Sequence, residues 1–153
     1  MQLTMPKDIK SIVIASHNEG KVREIRSLLD PYGYKIISAK KLGINEPIEN
    51  GMTFSENSLI KSRNAAKKSG LVALADDSGL CVNSLNYRPG IYSARWAGKN
   101  KDFGMAMKKI QKLMEKNDLL SKYNRRAFFV CSLSVYFPDG KNKVFNGRVN
   151  GHL

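Results

Sequence analysis

Apolar and polar positions recur with two different periods along this chain, and the switches between them mark its elements. Residues 10–16 (KSIVIAS) form a short apolar run with β-branched side chains. Val22, Ile25, Leu28 and Leu29 then recur at helical spacing, which predicts strand, turn, helix. Pro31 and Gly33 end that helix, and residues 34–39 (YKIISA) predict a second strand. A polar loop over 40–52 leads to Thr53-Phe54-Ser55-Glu56, where the Thr hydroxyl and the Glu carboxylate can cap each other's backbone amides. The helix so begun should run to about Lys68 and end at Gly70. Residues 71–75 (LVALA) predict a buried strand that stops at a polar break, Asp76-Asp77-Ser78-Gly79, with 80–85 returning as strand. Residues 86–98 read as loop, and Phe103, Met107, Ile110 and Met114 trace one core-facing side of a helix. Residues 127–137 (AFFVCSLSVYF) are the longest β-favouring run, and Pro138-Asp139-Gly140 turns them into 143–149 as a hairpin. Strands alternating with helices, followed by a late hairpin, predict an α/β domain with a mixed sheet.

Composition adds limits to this picture. The 153 residues, 42% of them apolar, with 12 glycines and 5 prolines, fit one globular domain over 1–153. No run approaches the roughly 18 apolar residues of a bilayer span, and the opening MQLTMPKDIK lacks the apolar stretch of a secretory signal. A cytoplasmic protein without membrane association is expected. Cys81 and Cys131 lie in apolar runs with no Cys or His at metal-ligand spacing, so both are expected as buried free thiols. The net charge of +13 calls for an anionic partner: nucleotide, polynucleotide or acidic protein. Between Lys99 and Arg126 nine basic residues face three acidic ones, a local 9 − 3 = +6. Phe103 and Tyr123 are the only aromatics there and Phe103 reads as core, leaving little to stack bases, so a solvated helix face is favoured over a nucleic-acid surface.

Three constellations carry candidate chemistry. Ser16-His17-Asn18-Glu19-Gly20-Lys21 sits between a strand and a helix, where free amide donors, a glycine and a lysine ammonium together suit a phosphate. The alternative is a helix cap at Asn18 with Lys21 on the surface, and His17 is a weak candidate for any role. In Asp76-Asp77-Ser78-Gly79, two adjacent carboxylates that converge repel each other unless a cation lies beside them. Magnesium is one such cation, and one carboxylate can serve as base for an attacking water. The alternative is a plain turn. Asn57 and Lys61, four apart, share a helical face able to meet a phosphate or an outer-shell water, although Glu56 is explained by capping alone. Glu49, in Glu49-Asn50-Gly51, is by default a surface-loop residue that can reach a metal.

The ordered segments S-H-N-E-G-K-V-R-E-I, E-N-G-M-T-F-S-E-N-S-L-I-K-S, A-D-D-S-G-L-C-V and P-G-I-Y-S-A-R-W-A-G resemble the inosine-triphosphate pyrophosphatase family, over about residues 9–149. The resemblance implies a mixed α/β fold of two lobes with a central cleft, dimeric, hydrolysing ITP, dITP and XTP to the monophosphate and pyrophosphate with Mg2+. Position by position, it implies a triphosphate-binding loop at Ser16, His17, Asn18, Glu19, Gly20 and Lys21, with Asn18 and Lys21 the strongest contacts. It makes Asp77 the proton acceptor and a metal ligand and Ser78 a substrate contact. Glu49, Asp76 and Lys61 are further candidates for metal or phosphate. Tyr92, Ser93 and Arg95 are expected in loop structure or a dimer contact. Members of that family continue beyond the strand at 143–149 into Phe-Gly-Tyr-Asp and Ser-His-Arg motifs that help read the purine. With Gly151-His152-Leu153 at its end, and His152 too early to replace that pair, the chain is expected to be a C-terminally incomplete relative with weak base selectivity. Alternative expectations are an impaired relative that only binds nucleotide, and a septum-inhibitor-like pyrophosphatase with another nucleotide preference.

Overall fold

The computed structural model describes residues 9–153. The part of the N-terminal reading that falls on residues 1–8 lies outside the described residues. β1 (Ser11–Ile14) runs parallel to β2 (Lys35–Ser38), with Ile14 opposite Ser38, and parallel on its other side to β3 (Val72–Val82), with Ile14 opposite Leu74. α1 (Glu19–Leu29) connects β1 to β2, and α2 (Phe54–Ser69) precedes β3, as parallel neighbours require a crossover. β4 (Arg126–Tyr136) and β5 (Asn142–His152) complete a mixed sheet of order β2-β1-β3-β4-β5. In the turn between them Phe137 N–H donates to the Lys141 carbonyl at 2.8 Å, and Gly140 takes a φ of 92°, the left-handed conformation that glycine supplies.

The chain divides into two compact units. One holds residues 9–51, 55–76 and 133–145; the other holds 52–54, 77–132 and 146–153. In the first, alternate β1 residues pack into different clusters: Val13 and Ala15 with Ala65, Ala66, Ala73 and Ala75, Ile12 and Ile14 with Val22 and Ile25. A strand covered on both faces explains why KSIVIAS is a continuous apolar run rather than an alternating one. The second unit has its own core, in which Val82 and Leu85 meet Ile110 and Met114 of α4 (Phe103–Lys116).

Two sequence expectations change here. The buried stripe of α4 is Ala106, Ile110 and Met114, a row of i, i+4 positions; Phe103 and Met107 fall off that row and are exposed. The strand at 71–75 does not stop at Asp76: β3 runs unbroken through Asp76, Asp77, Ser78 and Gly79. These residue types are poor strand formers, but β3 continues beside β4 after its pairing with β1 ends at Leu74, and tertiary context outweighs local preference. Within 86–98 the chain forms a 3-10 turn at Gly90–Tyr92 and the short α3 (Ser93–Trp96). Among the described residues no helix is long and apolar enough to cross a membrane.

Candidate functional site

The C-terminal end of β1 lies beside the first part of β3, and Ala15 N–H donates to the Leu74 carbonyl at 2.8 Å. Ligands gather at that end of a parallel sheet. The segment leaving β1 is organised by its own side chains. Ser16 Oγ accepts the Asn18 N–H at 3.1 Å, and Asn18 Oδ1 accepts those of Gly20 at 3.0 Å and Lys21 at 3.3 Å. Asn18 is therefore the N-cap of α1, and two donors of the first turn are already engaged by it. His17 is tied to the loop at 44–46: its N–H donates to Glu46 Oε1 at 3.1 Å, and its Nε2 lies 2.8 Å from the Ile44 carbonyl. Glu19 reaches Lys40 at 3.7 Å. Lys21 is not a free surface lysine, since its ammonium sits 3.0 Å from Glu24 and 3.7 Å from Asp76. The structure thus brings the first and second constellations into contact.

The third constellation faces loop 45–51. Lys61, with only 13% of its side chain exposed, places Nζ 3.5 Å from Glu49 Oε1. One turn earlier Asn57 Oδ1 accepts the Gly51 N–H at 2.8 Å, and one turn later Asn64 Nδ2 donates to the Asn45 carbonyl at 3.1 Å. Gly51 presses so closely on α2 that a methyl group there would lie 2.7 Å from Asn57 Oδ1 and 2.7 Å from Glu56 Cβ. Beneath, Ser58 Oγ donates to the Ala75 carbonyl at 3.0 Å, and Ser62 and Ser134 share a hydroxyl bond of 2.8 Å. Sequence reasoning passed over Asn64, Ser58 and Ser62. The signal was present in serines four apart on the buried side of a helix, where each needs a partner.

Continuity of β3 alters the carboxylate pair. Successive side chains leave a strand on opposite faces, so Asp76 and Asp77 do not converge as neighbours in a turn would. Their mutual repulsion therefore gives no argument for a cation shared by the two. Asp76 has Lys21 beside it, and Asp77 is buried. Among the described residues no three His, Cys, Asp or Glu side chains come together as a metal cluster.

Past Asp77 and Ser78 the strand passes under residues 88–93. A methyl group on Gly79 would lie 2.4 Å from the Gly90 carbonyl and 2.7 Å from Ser93 Oγ. Ser93 Oγ accepts the Leu80 N–H at 3.0 Å and donates to the Gly90 carbonyl at 2.7 Å, while Val82 N–H donates to the Arg88 carbonyl at 3.2 Å. Ser93, the first residue of α3, thus ties residues 88–93 to β3, and the Arg95 guanidinium lies over the Tyr92 ring at 4.9 Å. Cys81 and Cys131 are free thiols, Cys81 buried and Cys131 half-buried. Burial raises the Cys81 thiol above its usual pKa, partly offset by the charge of Arg148.

Residues 12–153 match the Ham1 family. The chain is 54% identical over 143 residues to a dITP/XTP pyrophosphatase of Zymomonas mobilis, covering 93% of this chain and 67% of that one. It is 49% identical over 142 residues to a dITP/XTP pyrophosphatase of Rhodopseudomonas palustris, covering 93% and 68%. Among solved structures, a HAM1 protein from Coxiella burnetii aligns with a TM-score of 0.83 at 36% identity, over 93% of this chain and 72% of that one. The Ham1 protein of Staphylococcus aureus aligns with a TM-score of 0.77 at 43% identity, over 94% and 71%.

Proposed function

Because the chain belongs to the Ham1 family, we propose that it hydrolyses ITP, dITP and XTP to the monophosphate and pyrophosphate. The observation that carries this reading is the meeting of Lys21 with Asp76 just past the C-terminal end of β1, where β3 runs on beyond it, in a chain 54% identical to a dITP/XTP pyrophosphatase. Lys21 and Lys61 supply compact positive charges to phosphate oxygens. Each now rests against a carboxylate, Lys21 on Asp76 and Lys61 on Glu49, and an incoming phosphate competes with that carboxylate for the ammonium. The Asn18 cap fixes the start of α1, and with it the position of Lys21. Ser78 contacts substrate in this reading, and Asp77 takes the proton of the attacking water as oxygen bonds to the α-phosphorus and pyrophosphate departs.

The proposal includes magnesium. Asp77, Asp76 and Glu49 are the candidate ligands, and their carboxylate oxygens are the hard donors such an ion takes, which needs only one or two of them beside the substrate phosphates. When bound, the ion neutralises phosphate oxygens. A cytoplasmic homodimer belongs to the same reading. The test is pyrophosphate release from dITP, with and without magnesium, by the parent chain and by Asp77→Asn. The parent should turn over only with the metal, and the variant should lose about 10²–10⁴-fold in rate while keeping its fold. A folded parent that releases no pyrophosphate overturns the reading, and a variant at parental rate removes Asp77 from the chemistry.

A further inference from the structure

We infer that Asn57 and Asn64 are positioning residues that pin the segment 45–51, and with it Glu49, onto α2; the inference rests on the hydrolase reading above. Asn57, Lys61 and Asn64 stand at i, i+4 and i+7, one face of the helix. Along that face they meet Gly51, Glu49 and Asn45 in turn, so the segment runs back against the helix. From Asn57 to Asn64 a helix rises about 10.5 Å, whereas six extended residues reach about 20 Å. The segment is therefore slack between its two ends. Its exposure agrees, since Ile44 is buried while Ile48, between the pins, is 85% exposed. A bowed segment is not fixed by its own length, so where it lies on the helix depends on how its two ends are held. The Lys61 contact at 3.5 Å adds to this, but in this reading Lys61 is also called upon by phosphate.

Both pins show signs of being built for the task. Asn57 is fully buried, and its Nδ2 has no hydrogen-bond partner among the described residues. A buried donor left unmatched is unfavourable, so the Oδ1 contact to Gly51 is what the carboxamide contributes there. Gly51 has no room for a side chain, which brings its N–H close to the helix. At the other end, Asn64 is helped by His17, whose ring holds the Ile44 carbonyl next to Asn45. The candidate phosphate loop and the segment carrying Glu49 are in this way joined through His17.

The experiment uses the full chain with Asn64→Asp, which keeps the side chain's shape but turns its donor into an acceptor facing a carbonyl, and Gly51→Ala, which lifts the other end. Two quantities are read: amide hydrogen exchange across 44–51, and kcat and KM for pyrophosphate release from dITP. Exchange in that segment should rise about fivefold or more, with amides of β1 and β3 unchanged as the internal control. The kcat should fall about tenfold with KM within about twofold, the mark of a misplaced group rather than lost substrate binding. An active parent whose variants keep the parental exchange, or keep the parental kcat despite faster exchange, overturns the inference and leaves the hydrolase reading standing. An inactive parent overturns that reading, and the catalytic sense of the pins with it. Faster exchange throughout Asn64→Asp marks a general folding defect, and Gly51→Ala then decides by the same two readings.

Discussion

Lys21 shows how one side chain changes meaning between sequence and structure. The sequence left it as either a phosphate ligand or a surface residue, and in the fold its ammonium stands between Glu24 and Asp76. Lys21→Ala should weaken binding of dITP and pyrophosphate, and more so at low salt. The screening length is about 30 Å at 0.01 M but about 8 Å at 0.15 M, so the missing charge is felt most in dilute buffer. Titration of parent and variant with pyrophosphate at both ionic strengths checks this, and equal affinities at low salt would remove Lys21 from the phosphate site. The cysteines give a second prediction at this scale. The thiolate is the reactive form, and burial raises the Cys81 thiol, so Cys131 should be alkylated first by iodoacetamide at pH 8. Mass spectrometry of a time course decides the order.

Among the elements, β1, α1, β2 and α2 were legible to within a few residues because long apolar stripes and paired stop signals leave little choice. β3 was read only in part. Asp76-Asp77-Ser78-Gly79 has the composition of a turn, and the neighbour it runs beside in the sheet, β4, is remote in sequence. A period of two in Ala73, Ala75, Asp77, Gly79 and Cys81, all buried, was the available hint. The clasp over this strand was hidden for the same reason, since nothing local links Ser93 to Leu80. Ser93→Ala leaves the Leu80 amide and the Gly90 carbonyl without their shared hydroxyl, a loss of about 1–3 kcal/mol. Urea unfolding should show it as a lower midpoint at unchanged slope.

For the whole molecule, composition foretold a cationic, core-forming chain, and the alternation of elements foretold a mixed sheet. Strand order and register were beyond it, because they depend on which apolar faces meet in space. Each compact unit carries its own core. Met114 is wholly buried among Val82, Leu85, Ile110 and Ala127. Met114→Ala should cost about 2–5 kcal/mol, the range for a large side chain removed from a packed core. Chemical denaturation followed by the near-ultraviolet signal of Trp96, which packs against that cluster, reads it directly. A loss below about 1 kcal/mol would mean that the surroundings collapse into the space.

The closeness of Gly79 to the Gly90 carbonyl also bears on how this gene can drift. Every missense change of a glycine codon adds at least a methyl group, and here the nearest obstacle is backbone, which has no alternative rotamer to move into. Gly33 and Gly70 differ: their backbones are left-handed, but the space around them is open, so asparagine is a tolerable replacement. In a library covering all single substitutions, selected for function, position 79 should therefore return glycine alone, while 33 and 70 should return a short list. The two kinds of glycine, indistinguishable as letters, would separate by the alphabets they accept.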